Sequence, residues 1–98
     1  MVAETKNIPR LMLMEGDMDA VSIRQIQSLF EDAMSIDNRD IILDMSKVRF
    51  IDSSGVGAVV SFFRCLTEVD RSLIIQGVQG QPQDLFTYLQ IDKAIPIQ

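Results

Sequence analysis

The sequence contains no histidine and no tryptophan, and its 98 residues include one cysteine, Cys65. Histidine is the commonest general base and metal ligand, so its absence disfavours most hydrolytic and metal-dependent chemistry. One cysteine cannot form an internal disulfide, and a free thiol is typical of a reducing compartment. We therefore expect a cytoplasmic protein with no metal site, in which Cys65 is a small buried or half-buried residue without a redox role.

Long apolar runs and an excess of basic residues are also missing. The longest apolar-rich run, residues 56–63, is far shorter than the ~20 residues that a membrane span needs. Residues 1–9 lack the apolar stretch of a signal peptide and read as a frayed end or a short edge strand. Nine lysines and arginines against 14 acidic residues give a net charge of −5. That balance disfavours both nucleic acid and an anionic membrane as direct partners.

The length fits a single domain spanning residues 1–98, and the middle of the chain predicts its architecture. Residues 41–43 and 73–75 are continuous apolar runs, typical of strands buried on both faces. Residues 53–68, between them, have apolar side chains at helical spacing. This order predicts a βαβ unit with parallel strands and a right-handed crossover. The other predicted elements are a strand at 11–14, a turn at 15–19, a helix at 21–34, a third helix beginning near Pro82 and a short terminal strand within 94–97.

Two apolar stripes predict which helix faces are buried. In the first helix the stripe consists of Val21, Ile26, Leu29, Phe30 and Ala33. In the second helix it consists of Val56, Val59, Val60, Phe63 and Leu66. We expect Val59, Val60 and Phe63 of the second stripe to lie against the sheet, since they share one helical face.

The junction between the second strand and its helix carries an Asp-Ser-Ser-Gly sequence, residues 52–55. Aspartate and serine are favoured at helix starts because their side-chain oxygens accept free backbone N–H groups, so capping alone explains the tetrapeptide. A serine exposed there is also available for phosphorylation, which adds about −1.5 to −2 charge. Gly55 and Gly57 each cost about 1 kcal/mol relative to alanine in a helix. Two glycines in a first turn indicate a close approach to the backbone.

Other polar groupings do not support catalysis or ligand binding. The loop at residues 77–80 has two glycines but lacks the lysine and Ser/Thr of a phosphate-binding loop. Ser53 and Ser54 lie outside a Gly-x-Ser-x-Gly elbow and have no histidine to act as base. Asp17 and Asp19 supply too few oxygens for calcium, and Asp19 is a candidate N-cap of the first helix, with Ser22 as the alternative. We expect no catalytic residues, no cofactor and no enzymatic activity.

The segment Asp44-Met45-Ser46, with Val48 and the run Phe50-Ile51-Asp52-Ser53-Ser54-Gly55-Val56-Gly57, resembles the signature of the STAS domain, a family that includes bacterial anti-sigma factor antagonists. The segments at residues 16–19 and 89–94 also resemble the family pattern, so the resemblance covers about residues 11–97. It implies a small α/β domain with a mixed sheet of four or five strands and helices packed against it.

The resemblance also implies a functional site. Ser54 matches the phosphorylated serine of the family, Asp52 and Ser53 match its flanking residues, and Asp19 matches an acidic residue on the same surface. Met18, between two aspartates, either turns inward or provides an adaptable contact for a partner. The expected partner-binding residues are Asp19, Met18, Asp52, Ser53, Gly55 and Gly57.

In the form that the resemblance implies, the protein is a partner switch in transcription regulation. It binds an anti-sigma factor serine kinase, is phosphorylated at Ser54 and released, and is reset by a serine phosphatase of the metal-dependent type. Two other functions remain open: a small STAS subunit of a lipid or anion transport system, and a nucleotide-binding sensor.

Overall fold

The computed structural model describes residues 8–98, which form a parallel sheet with helices packed against it. The elements in chain order are β1 (Arg10–Met18), α1 (Ile23–Ile36), β2 (Ile41–Ile51), α2 (Ser53–Glu68), β3 (Leu73–Gln76), α3 (Gly80–Tyr88) and a short 3-10 helix (Ile91–Lys93). The strand order is β1-β2-β3, and both pairs are parallel. The predicted α/β class and the βαβ unit formed by β2, α2 and β3 are confirmed.

The sheet is smaller than predicted. Within residues 8–98 it has three strands, all parallel, where a mixed sheet of four or five strands was expected. The terminal strand expected within residues 94–97 is reduced to one parallel bridge between Ile75 and Ile97. The sequence predicted a frayed end or a short edge strand for residues 1–9. Residues 1–7 of that segment lie outside the described residues.

Strands β1 and β2 extend well beyond the apolar runs that predicted them. The prediction of a turn at residues 15–19 is wrong, because β1 continues to Met18 and pairs with β2 as far as Ile51. The register shifts between Leu13 and Glu15 and again between Gly16 and Asp17. Such irregularities let polar and glycine residues remain within a strand, and Gly16 adopts a φ of +80° there. As a consequence, the C-terminal ends of both strands lie at the same end of the sheet, next to the start of α2.

The buried face of α2 is partly the predicted one. Val56, Val59 and Leu66 are buried as expected, whereas Val60 and Phe63 are only half-buried. Phe62 takes the place predicted for Phe63: it is 3% exposed. Its ring stacks on Phe30 of α1, with the ring centroids 4.2 Å apart. The helix therefore turns one face to its neighbour α1 as well as one to the sheet.

Three other burial predictions, for Val21, Leu29 and Cys65, are wrong. In α1, Ile26, Phe30 and Ala33 are buried as predicted. Val21 precedes the helix and is 93% exposed, and Leu29 is 50% exposed, so their assignment to the buried stripe is wrong. Cys65 is exposed on α2, contrary to the expectation of burial.

The sheet end opposite to the α2 start is held by an arginine–aspartate cluster. Arg71 is buried, and its guanidinium donates to the carbonyl oxygens of Ala33 at 3.2 Å and Arg39 at 2.7 Å, and to Asp37 Oδ1 at 3.5 Å. It thereby satisfies a carbonyl of the last turn of α1, which has no partner within the helix. Asp37 also binds the side chain of Arg10 and the backbone N–H of Arg39.

This cluster alters the acidity of Asp37. Burial by itself raises the pKa of this carboxyl group. Hydrogen bonds from the Arg10 side chain and the Arg39 backbone N–H, together with the charges of both arginines, outweigh burial and hold the pKa below its ordinary value of 3.8. The charged form of Asp37 is therefore favoured by the folded state.

The first prediction compares neighbouring phenylalanines on α2. Phe62→Ala should lower the free energy of unfolding by about 3–5 kcal/mol, because it removes a fully buried ring from the interface between α1 and α2. Phe63→Ala is the matched control and should cost less, since its side chain keeps part of its exposure. Urea unfolding measures both values. A loss at Phe63 equal to or greater than that at Phe62 would contradict the packing described here.

The second prediction concerns acid stability. A carboxyl group with a lower pKa in the folded state stabilises the fold above its unfolded pKa, and this contribution disappears as the pH falls through the folded pKa. Asp37→Asn should therefore lower the free energy of unfolding near neutral pH, and the difference from wild type should shrink once the pH falls below 3.8. Asp32→Asn, at an exposed position of α1, is the control and should change the free energy of unfolding little. A deficit of Asp37→Asn that does not change with pH would refute this account.

Candidate functional site

Asp52 directly precedes α2 in the chain. It has extended backbone angles (φ −113°, ψ −172°), and its Oδ1 atom accepts hydrogen bonds from the backbone N–H groups of Ser54 at 2.9 Å and Gly55 at 3.1 Å. These donors lie in the first turn and have no partner within the helix. Asp52 is therefore the N-cap, and Ser53 and Ser54 are the first two residues of α2.

The same carboxylate also holds the loop that leads into α1. Asp52 Oδ2 accepts a hydrogen bond from the backbone N–H of Ala20 at 3.1 Å. The backbone N–H of Asp52 donates to the carbonyl oxygen of Met18 at 3.2 Å. One residue thus joins the end of β1, the loop after it and the first turn of α2.

Asp19 lies in this loop and organises it. Its Oδ1 atom accepts hydrogen bonds from the backbone N–H groups of Val21 and Ser22, both at 3.1 Å. Helix α1 begins at Ile23, and Ser22, at the N-cap position, makes no capping hydrogen bond through its side chain. Asp19 therefore shapes the turn before the helix, and the hydrogen bond from Ala20 to Asp52 brings this turn to the start of α2.

The two glycines of the first α2 turns have different surroundings. A Cβ atom on Gly55 would overlap the carbonyl oxygen of Met18 and lie 2.7 Å from Ile51 Cγ1. The close approach that the glycines indicated is thus made at Gly55 by the chain's own strands. Gly57 is exposed, and a Cβ atom there would meet nothing within 4 Å. Of the two, only Gly57 presents open surface.

Ser53 and Ser54 border a groove between α1 and α2. Ser53 is exposed and Ser54 is half-buried. The groove, of about 600 Å³, is also lined by Phe62 and Cys65 of α2 and by Phe30 of α1. Both serines are therefore at a solvent-accessible edge of the helix pair, next to the Asp52 cap.

Two of the expected partner-binding residues are not at the surface. Met18 is 1% exposed and belongs to the core, so the expectation of a surface contact is wrong and the inward orientation is the correct alternative. Its place in β1, two residues beyond Gly16, turns its side chain into the sheet's packed face. Gly55 is buried against Met18 and Ile51, so it lets the first turn of α2 pack closely on β1 and β2 and is not itself available to a partner.

Two exposed apolar residues near the site were not indicated by the sequence pattern. Val21 follows the loop that Asp52 holds and is 93% exposed, and Phe50, two positions before Asp52, is 42% exposed. The apolar stripe predicted for α1 includes Val21. With Ser22 as the N-cap, the alternative to Asp19, Val21 precedes the helix. Phe50 lies in a stretch with no clear alternation of apolar and polar residues.

The arrangement presents Ser54 in the first turn of a capped helix. Asp52 already occupies the N–H groups of Ser54 and Gly55, so these donors are not available to an added anion. Among residues 8–98 no group of acidic or cysteine side chains could hold a metal ion. None of the helices in that range has the length and apolar character needed to cross a membrane.

The chain is similar to STAS domains over its whole length: the STAS domain family model matches residues 1–98. Anti-sigma-B factor antagonists from Staphylococcus aureus are 27% identical over 71 residues, which is 72% of this chain and 66% of theirs. The counterpart from Staphylococcus epidermidis is 24% identical over the same length. The alignments thus span just under two thirds of these relatives.

Solved structures share the fold. SpoIIAA, an anti-sigma factor antagonist solved in its unphosphorylated form, matches with a TM-score of 0.67 and 23% identity over 90% of this chain and 76% of that one. A Thermotoga maritima protein described as a candidate anti-sigma factor antagonist gives 0.78 at 14% identity, covering 89% and 77% of the two chains. A sulfate transporter family protein from Wolinella succinogenes gives 0.72 at 17% identity, covering 95% and 79%. At these identities the matches show the fold alone.

The third prediction separates the two glycines. Gly55→Ala should destabilise the protein by about 1–3 kcal/mol, because the new methyl group meets the backbone of Met18. Gly57→Ala should instead stabilise it by up to about 1 kcal/mol, since alanine is the better helix former and the space is open. Urea unfolding of both variants tests this, and a stabilising Gly55→Ala would show that β1 does not approach the helix as described.

Proposed function

Since the chain belongs to the STAS domain family, we propose that it is an anti-sigma factor antagonist in a partner-switching pathway, which binds an anti-sigma serine kinase and is released by phosphorylation of Ser54. The observation that carries the proposal is the position of Ser54 in the first turn of α2, at an accessible edge beside the loop of Asp19. The names of the staphylococcal relatives support it. In this role the protein is cytoplasmic and has no catalytic activity of its own.

The docking surface of the proposal is centred on the start of α2. Ser53 and Gly57 are exposed there, and Gly57 has no side chain to hold a partner away from the helix. Val21 and Phe50 add exposed apolar surface at positions close in the chain to the contacts of Asp52. Buried apolar anchors supply much of the binding energy of protein interfaces. These features fit a partner that packs closely against the helix start.

The switch is an electrostatic effect at that interface. A phosphate on Ser54 brings about −1.5 to −2 charge next to the carboxylate of Asp52. Two N–H groups of the helix start are already bound to Asp52, so they cannot compensate the new charge. A partner that covers the phosphate would have to remove its water. Leaving such a charge unpaired costs several kcal/mol, and about 1.4 kcal/mol already corresponds to tenfold in affinity.

In the cycle that we propose, the kinase bound to this surface transfers phosphate from ATP to Ser54 and the complex dissociates. A metal-dependent serine phosphatase removes the phosphate and restores binding. While bound, the kinase is withheld from its sigma factor, so the phosphorylation state of one serine controls transcription.

The fourth prediction tests the site and the switch together. Incubation with the cognate kinase and ATP should place phosphate on Ser54, and mass spectrometry should find none in Ser54→Ala. In calorimetry, Ser54→Asp should bind the kinase at least about tenfold more weakly, whereas Ser54→Ala should bind and resist release by ATP. Ser61→Asp, which adds the same charge at an exposed position on the same groove, is the control and should bind more tightly than Ser54→Asp.

Three results would refute the proposal in different ways. Phosphate that persists in Ser54→Ala would put the modified residue elsewhere. Equal affinities of Ser54→Asp and wild type, with matching circular dichroism, would refute the charge switch. A pull-down that recovers a transporter ATPase in place of a kinase would favour the transport function.

A further inference from the structure

Within residues 8–98, the C-terminal end of β2 lacks a strand neighbour on one side. Strand β3 pairs only with residues 41–44 of β2. Further along, β2 pairs with β1 alone, as far as the pair formed by Met18 and Ile51. The backbone groups of Ile51 that face away from β1 therefore need partners from outside the sheet, because unpaired backbone polar groups are costly when buried.

The side chain of Gln81 provides both partners. Its Oε1 atom accepts a hydrogen bond from the backbone N–H of Ile51 at 2.9 Å, and its Nε2 atom donates to the carbonyl oxygen of Ile51 at 2.9 Å. A neighbouring strand would offer the same pair of one acceptor and one donor. Gln81 lies in the first turn of α3 next to Pro82, which is buried, so the amide projects from an anchored element.

Ile51 in turn supports the start of α2. It directly precedes Asp52, whose carboxylate holds the N–H groups of Ser54 and Gly55. The side chain of Ile51 is fully buried, and it packs so closely under Gly55 that a Cβ atom there would lie 2.7 Å from Ile51 Cγ1. A shift of the Ile51 peptide would therefore move both the cap and the underside of the first helical turn.

We propose that Gln81 is a positioning residue for Ser54, acting through the two hydrogen bonds to Ile51 and through the Asp52 cap. It touches neither the serine nor any partner in this role. The functional part of the inference rests on the proposed phosphorylation of Ser54, whereas the structural part does not depend on it.

Amide hydrogen exchange tests the structural part. Gln81→Leu removes both hydrogen bonds, and Gln81→Glu replaces the donor with a charged oxygen that faces the carbonyl of Ile51. Gln81→Leu should increase the exchange of the Ile51, Ser54 and Gly55 amides about tenfold relative to wild type, as expected for the loss of two ordinary hydrogen bonds. Gln81→Glu should also increase it, because the glutamate keeps the acceptor for the Ile51 N–H but turns a charged oxygen toward the carbonyl oxygen of Ile51. Core amides of β2 should be unchanged. Gln83→Glu, an exposed glutamine on the same helix, is the matched control and should behave as wild type.

A pH readout distinguishes positioning from general support. A protonated glutamate again offers one acceptor and one donor, and an ordinary glutamate has a pKa of about 4.3. At about pH 3.5 the exchange of Gln81→Glu should therefore return to within about twofold of wild type measured at the same pH. Gln81→Leu should show no recovery. Exchange unchanged in both variants, or recovery in both, would show that the two hydrogen bonds from Gln81 to Ile51 do not order the start of α2.

Phosphorylation kinetics test the functional part. With saturating protein, the rate of phosphate transfer to Ser54 should fall about tenfold in Gln81→Leu, with a smaller change in the apparent KM, because the serine is displaced from its reactive geometry. Faster exchange with unchanged kinetics would overturn the positioning role. A wild-type chain that accepts no phosphate would overturn the proposed function, and the exchange data would still decide whether Gln81 orders the start of α2.

Discussion

The proposed site depends on the hydrogen bonds that the carboxylate of Asp52 accepts. One oxygen accepts from two N–H groups of the first turn of α2, and the other accepts from the N–H of Ala20 in the loop after β1. Each of these donors would otherwise lack a protein partner, which is unfavourable for any group removed from water. The helix start and the loop of Asp19 are therefore held at one edge of the sheet by a single side chain.

Side chains satisfy backbone groups at the start of α2 and at the end of α1. At the opposite end of the sheet, Arg71 donates to the carbonyl oxygens of Ala33 and Met34 in the last turn of α1 and to Asp37, much as Asp52 accepts from the first N–H groups of α2. A helix start that is already capped offers few donors to a phosphate, so an added charge would change what the surface can bind more than it would change the fold. The proposed switch is accordingly an event at an interface.

The fold does not choose among functions. Structures with TM-scores of 0.67 and 0.72 include an anti-sigma factor antagonist and a sulfate transporter family protein. Similar sheets can carry different activities because function depends on the residues at the site. In this chain the residues of the proposed site are at the start of α2, where Ser53, Ser54 and Gly57 are accessible and Gly55 allows β1 to approach closely.

Local signals in the sequence determined α2, whose predicted bounds agree with the structure, because helical periodicity and the preference of Asp and Ser for helix starts depend on neighbours in the chain. The same holds for the parallel βαβ unit, which two apolar runs and their spacing predict. Tertiary structure decided the rest. Met18 is buried because β1 extends past a glycine that reads as a turn, Phe62 is buried because α1 supplies a ring for it, and Gln81 binds Ile51 because β3 ends early. Each of these depends on a partner distant in the chain, and no local pattern specifies which partner will be there.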